Sequence, residues 1–274
     1  MENNNPIAVF DSGVGSFSIV RVLRKVLPSE HIIYLADRVS FPYGTKTNEE
    51  LKDNIISRIK WLEKTYNPKI IVVASNTPSI QVLDKVIDFT KTKLFGVYPP
   101  IEKAVSLTKT NHIGILATKG AVESPEIDNF IKSKNIPEQI KIAKINASDL
   151  VALVEPGTFQ TDKEKTSQVI KNVIDAALKI DSEIDVMTLS STHLPFLKSY
   201  FEELYPEISF IDPADNIAKE VLVYLENEHL MSGCKGILSV ITTVDEEKNL
   251  TADGLKDILM KIGLNTEIKP VLIN

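Results

Sequence analysis

The chain has 274 residues, 43% of them apolar and 25% charged, the balance of a globular protein with room for one or two domains. A net charge of −6 gives no basic footprint for nucleic acid or an anionic membrane surface, and no apolar run is long enough to span a bilayer. Met1-Glu2-Asn3-Asn4-Asn5 lacks the basic and apolar regions of a signal peptide, so a cytoplasmic location is the expectation. The single cysteine, Cys234, excludes an internal disulfide and a cysteine-rich metal site, and its neighbours Ser232, Gly233 and Gly236 suggest a loop.

In chain order, Ile7-Ala8-Val9-Phe10 reads as a strand that ends in Asp11-Ser12-Gly13-Val14-Gly15. Val20, Leu23, Val26 and Leu27 then recur at helical spacing. Residues 31–35 are a second strand, followed by a polar loop with Phe41-Pro42-Tyr43-Gly44-Thr45 and a helix over 48–64. A strand over 70–74 runs into Ser75-Asn76-Thr77-Pro78, and a helix is predicted from 80 to about 90. A short strand at 94–97 leads to Pro99-Pro100, which reads as a hinge.

Beyond the hinge the pattern restarts. A helix over 101–108 precedes a strand over 112–117 that ends at Thr118-Lys119-Gly120. Helices over 124–133, 149–155 and 163–180 and strands over 139–145 and 185–189 follow. The last of these strands ends in Ser190-Ser191-Thr192-His193-Leu194-Pro195. From Gly236 to Val271 the order is strand, Thr-rich loop, helix, strand, expected to pack back on the first half. Near-continuous Ile/Val runs indicate parallel strands buried on both faces. The fold expected is α/β: two similar lobes with parallel sheets flanked by helices, the first of residues 1–97 plus 211–274, the second of 98–210, with a site in the cleft between them.

Two strand tips therefore look alike, one at Ser75 and one at Ser191, and strand ends carry the chemistry in parallel α/β folds. Gly13-x-Gly15 is not a dinucleotide fingerprint, because Ser18 fills the third glycine position. Asp11 suits catalysis and equally suits capping of the following helix. Ser75-Asn76-Thr77 can cap a helix or present donors to a small carboxylate. His193 is either a hydrogen-bonded structural residue or an acid/base beside Ser191. A Ser191–His193 hydrolase is a weaker reading, since no Gly-x-Ser-x-Gly elbow surrounds Ser191. Glu155 ends an apolar helix, and no His/Asp/Glu group has a metal-ligand spacing.

Taken together, Val9-Phe10-Asp11-Ser12-Gly13-Val14-Gly15, Pro42-Tyr43-Gly44-Thr45, Asn76-Thr77, residues 113–118, residues 150–155 and Thr192-His193 with Pro195 resemble the glutamate racemase family of the aspartate/glutamate racemase superfamily. The resemblance implies a cofactor-independent, metal-free interconversion of L- and D-glutamate that supplies D-glutamate for peptidoglycan, in a homodimer. In that family two cysteines face opposite sides of the substrate α-carbon; the matching positions here are Ser75 and Ser191. Asp11, His193 and Glu155 match the groups that assist them. Ser12, Pro42, Tyr43, Gly44, Asn76, Thr77, Thr118 and Thr192 match positions that hold the amino acid. Ala121 stands where threonine is usual, and Ser190 where glycine is usual. A serine hydroxyl is far harder to ionise than a thiol, so little or no turnover is expected of this chain. The alternative expectation is a non-catalytic amino-acid-binding or regulatory protein on a racemase scaffold.

Overall fold

In a computed structural model of the chain, residues 4–273 are described, apart from Cys234, Glu246, Asn249 and Asn265. The loop expected at Cys234 lies outside the described residues.

Among the described residues ten strands form two parallel sheets. They are β1 (Ile7–Asp11), β2 (Ile32–Ala36), β3 (Ile70–Val73), β4 (Lys93–Gly96), β5 (His112–Ala117), β6 (Lys141–Asn146), β7 (Val186–Leu189), β8 (Ser209–Ile211), β9 (Leu238–Thr243) and β10 (Ile268–Val271). The first sheet has the order β10-β9-β2-β1-β3-β4 and the second β6-β5-β7-β8. β1 sits between β2 and β3, with Ile7 opposite both Ile32 and Ile70. β5 likewise sits between β6 and β7, with Ile113 opposite Ile142 and Val186. Every ladder is parallel, so all strands of a sheet release their C-terminal residues at one edge.

Helices cover both faces of the first sheet. On one face Ala8, Phe10, Ile33, Leu35, Ile71 and Val73 pack against Leu51, Ile55, Ile59 and Leu62 of the helix Asn48–Tyr66. Those four recur at helical spacing, and Thr47 and Glu50 close the helix start with a capping box. On the other face Ile7, Val9, Ile32, Tyr34, Ile70 and Val72 belong to a core that runs on through the helix Phe17–Val26 into Leu116, Leu150, Ile170 and Met187 of the second lobe. The helix Ala214–Asn227 packs on Phe17–Val26. β9 then pairs with β2, returning the chain to the first sheet as expected.

The structure corrects three sequence readings. The helix expected from residue 80 starts at Asn76, directly after Ser75, and stops at Gln81; Val82 leaves helical geometry before a second turn, Leu83–Val86. Pro78 is tolerated because it lies in the first turn, where its missing N–H has no intrahelical acceptor. Thr242 and Thr243 lie in β9 rather than a loop, their hydroxyls donating to Ala36 O and Asp37 Oδ1. Ile211 pairs with Thr188 in the second sheet, although the sequence reading put it on the first-lobe side.

Candidate active site

The strand edges of the two sheets meet. β1 delivers Asp11 and the Ser12–Gly15 turn, β3 delivers Ser75, β5 delivers Thr118, and β7 delivers Ser190, Ser191, Thr192 and His193. The lobes are tied there by Ser18 Oγ donating to Thr192 O at 3.0 Å and by the Thr77–Thr118 hydroxyl pair at 3.3 Å. A cavity of about 40 Å³ lies between them. Its walls include Asp11, Ser12, Pro42, Tyr43, Gly44, Ser75, Asn76, Thr77, Thr118, Ser191, Thr192 and His193. Glu155 alone among the expected site residues stands outside that lining, behind His193, where it helps line an adjoining pocket of about 720 Å³. The two spaces share Phe41, Pro42, Gly44, Thr118 and Val151. Among the described residues no cluster of His, Cys, Asp and Glu could hold a metal ion.

Asp11 does not cap the helix after it; the N-cap is Ser16. Its carboxylate accepts the Ser12 N–H at 2.6 Å and the Thr192 hydroxyl at 3.3 Å. Burial pushes the carboxyl up to about 6, partly offset by His193 and by hydrogen bonds from Ser12 and Ser75. The folded state therefore binds the Asp11 proton more tightly than the unfolded chain, whose aspartates titrate near 3.9. Its contribution to stability is present below pH ~4 and lost as the pH rises through about 6. Asp11→Asn is expected to melt at a higher temperature than the unaltered chain at pH 8 and to lose that advantage at pH 4; an equal difference at both would contradict the assignment.

His193 is held from one side by Glu155, whose Oε2 lies 2.7 Å from Nε2 and also accepts the Val14 N–H at 3.1 Å. Burial raises the Glu155 carboxyl, but the hydrogen bond and charge of His193, with Arg38 and Val14, outweigh it and hold the group low. The glycines of the first turn make room for this pair. A Cβ at Gly13 would lie 2.7 Å from Glu155 Oε2, and one at Gly15 would overlap the His193 ring and backbone. Gly15→Ala is accordingly expected to cost about 1–3 kcal/mol in a denaturant titration and to displace the imidazole, seen as shifted His193 ring resonances.

The remaining wall is built from backbone and short polar groups. The peptide Phe41–Pro42 is cis. Tyr43 N–H meets Ser12 Oγ at 3.4 Å, and Tyr43 OH donates to Asp37 Oδ2 at 3.0 Å. Burial, reinforced by Asp37, pushes the Tyr43 phenol well above its ordinary range, which keeps it a donor. Ser75 occupies the N-cap position of Asn76–Gln81, yet its hydroxyl makes no capping bond. Asn76 Nδ2 donates to Val97 O at 3.0 Å, while its Oδ1 is buried without a hydrogen-bond partner. Ser190, where glycine is usual in the resemblance, turns its hydroxyl to Thr188 Oγ1 at 2.8 Å.

Sequence reasoning missed Phe41 and Arg38. Phe41 lines the cavity, its ring 6.5 Å from that of His193, and its place directly before Pro42 was the available signal. Arg38 reaches Glu155 from the same polar loop, and nothing local marks it.

Fold and site together define an enzyme-like scaffold: two parallel-sheet lobes closing hydroxyl, carboxylate and imidazole groups around a space for a small polar molecule. No protein-family model matches the chain. It is 31% identical over 273 residues, 97% of each chain, to a glutamate racemase of Shewanella piezotolerans (strain WP3 / JCM 13877). Its fold matches the crystal structure of glutamate racemase isoform RacE1 from Bacillus anthracis, with a TM-score of 0.86, 24% identity and 98% of each chain covered. It also matches Escherichia coli glutamate racemase solved with L-glutamate and the activator UDP-MurNAc-ala, with a TM-score of 0.83, 25% identity, and 98% of this chain and 99% of that one covered. The chain belongs to the glutamate racemase family.

Proposed function

We propose that the cleft binds glutamate and is built for cofactor-independent racemisation by two groups on opposite faces of the α-carbon, with Ser75 and Ser191 standing in those places. The observation that carries the reading is that these two serines, released by β3 of one sheet and just beyond β7 of the other, line the same cavity. Racemisation needs a base on one face and a proton donor on the other. Asp11, hydrogen-bonded by the Ser75 hydroxyl and titrating near 6, stands to accept a proton on one side. His193, held by Glu155, serves the other. The orphaned Asn76 Oδ1 is an acceptor for the substrate ammonium; the Ser12 hydroxyl, the proton that the Thr77–Thr118 pair leaves free and the Gly44 N–H supply donors for its carboxylates, while Thr192, whose hydroxyl is given to Asp11, lines the cavity beside them. The relatives' glutamate complexes support this substrate class. D-glutamate for peptidoglycan, a homodimer and a cytoplasmic setting complete the proposal, on the strength of the family.

Binding does not require thiols. Calorimetry on the chain as it stands is expected to show glutamate binding, weakened about tenfold or more by Asn76→Ala, since a buried bond to a charged group contributes about 1.5–3 kcal/mol. No binding of either enantiomer would overturn the proposed substrate. Binding without any turnover after both thiols are restored would instead point to an amino-acid-binding protein on this scaffold.

A further inference from the structure

Arg38 opens a short 3-10 turn just beyond β2, and its side chain is 15% exposed. Its Nη1 lies 3.2 Å from Glu155 Oε1. That contact is an ion pair without hydrogen-bond geometry, for Glu155 Oε1, Arg38 Nε and Arg38 Nη1 are buried atoms that make no hydrogen bond. The other oxygen, Oε2, is held twice, by the Val14 N–H and by His193 Nε2. Arg38 is therefore not the anchor of Glu155. It is a cation drawing on the carboxylate that faces His193.

We infer that Arg38 is a positioning residue for His193: acting through Glu155, it shares the carboxylate charge so that the imidazole is not locked as a permanent imidazolium and can both give and take a proton. A buried Glu–His pair with no other cation holds the imidazole proton tightly, which suits a structural ion pair and hinders proton transfer. Other ionisable groups at the site are Asp11 from β1, whose charge interacts with His193, and the phenols of Tyr34 on β2 and of Tyr43 in the cavity wall, which burial keeps protonated.

This deepens the proposed two-face site and rests on it for its purpose, but its test needs no turnover. The His193 ring would be followed by ¹H–¹⁵N NMR against pH in the unaltered chain and in Arg38→Ala, Arg38→Lys and Glu155→Gln proteins. Arg38→Ala is expected to raise the pH at which the ring titrates by about one unit, a tenfold firmer hold on the proton. Arg38→Lys should return most of that shift, and Glu155→Gln should move the ring the other way. An unmoved or lowered titration in Arg38→Ala would overturn the inference. Arg38→Gln, which keeps a long polar side chain, replaces alanine if that protein does not fold. A failure to bind glutamate, by contrast, would sink the proposed function and leave this result standing.

Discussion

Placing thiols at both positions, Ser75→Cys with Ser191→Cys, is expected to raise α-proton exchange of glutamate by about 10²–10⁴-fold over the unaltered chain, the range that positioned acid–base groups contribute. The surroundings of both serines would favour a thiolate. Residue 75 is the N-cap of Asn76–Gln81, where the helix end favours a negative charge and lowers a thiol's pKa. Its hydroxyl makes no capping bond there and bonds Asp11 instead. Residue 191 precedes His193, whose protonated ring would favour a neighbouring thiolate. A hydroxyl gains far less from either setting, because it is much harder to ionise. Exchange followed by NMR in D₂O reads the gain directly. A double-thiol protein that binds glutamate yet exchanges no faster than the parent would remove the racemase mechanism.

Asp37→Ala is expected to cost about 3–5 kcal/mol in a denaturant titration, and to weaken glutamate binding as well. Asp37 and Arg58 form a buried ion pair at 2.9 Å, with side-chain exposures of 0% and 7%. Asp37 also accepts from Tyr43 OH and Thr243 Oγ1, and Arg58 Nη2 reaches Ser40 Oγ. Removing the carboxylate strands a guanidinium away from water and frees Tyr43, which lines the cavity. The large term is the stranded charge rather than the pair itself. Asp37→Leu with Arg58→Met should accordingly recover much of the lost stability. It should not recover binding, because Tyr43 still lacks its acceptor. Equal unfolding midpoints for Asp37→Ala and the double variant would contradict this account.

Strands were the legible part of the fold. The runs 7–10 and 70–74 are wholly apolar because both faces of a parallel sheet are covered, and β1, β3 and β7 are buried throughout. The helix Lys163–Ile180 was equally plain from its amphipathic period, and the structure gives it the bounds read from the sequence. The helix after Ser75 was misplaced because Pro78 reads as a boundary, while a first-turn proline is compatible with a helix that starts before it.

The site was legible in its residues and not in their wiring. Asp11 stood evenly between cap and catalyst because a carboxylate at a strand end suits both. Only the fold shows Ser16 at the cap and Asp11 turned to Thr192, 181 positions away. Glu155 and Val14 are 141 positions apart, and no periodicity links them. The glycines of Asp11-Ser12-Gly13-Val14-Gly15 lie between β1 and the helix Phe17–Val26, but their close approach to His193 and Glu155 comes from the packing of one lobe on the other.

The central claim is that Ser75 and Ser191 face opposite sides of one α-carbon, and two single-thiol proteins test it most directly. Ser75→Cys alone and Ser191→Cys alone would each be incubated with pure L- and pure D-glutamate in D₂O. A lone thiolate can reach the α-proton of only one enantiomer, so the two variants should wash out the proton of opposite enantiomers. Washout of the same enantiomer by both would place the two residues on one face and contradict the account.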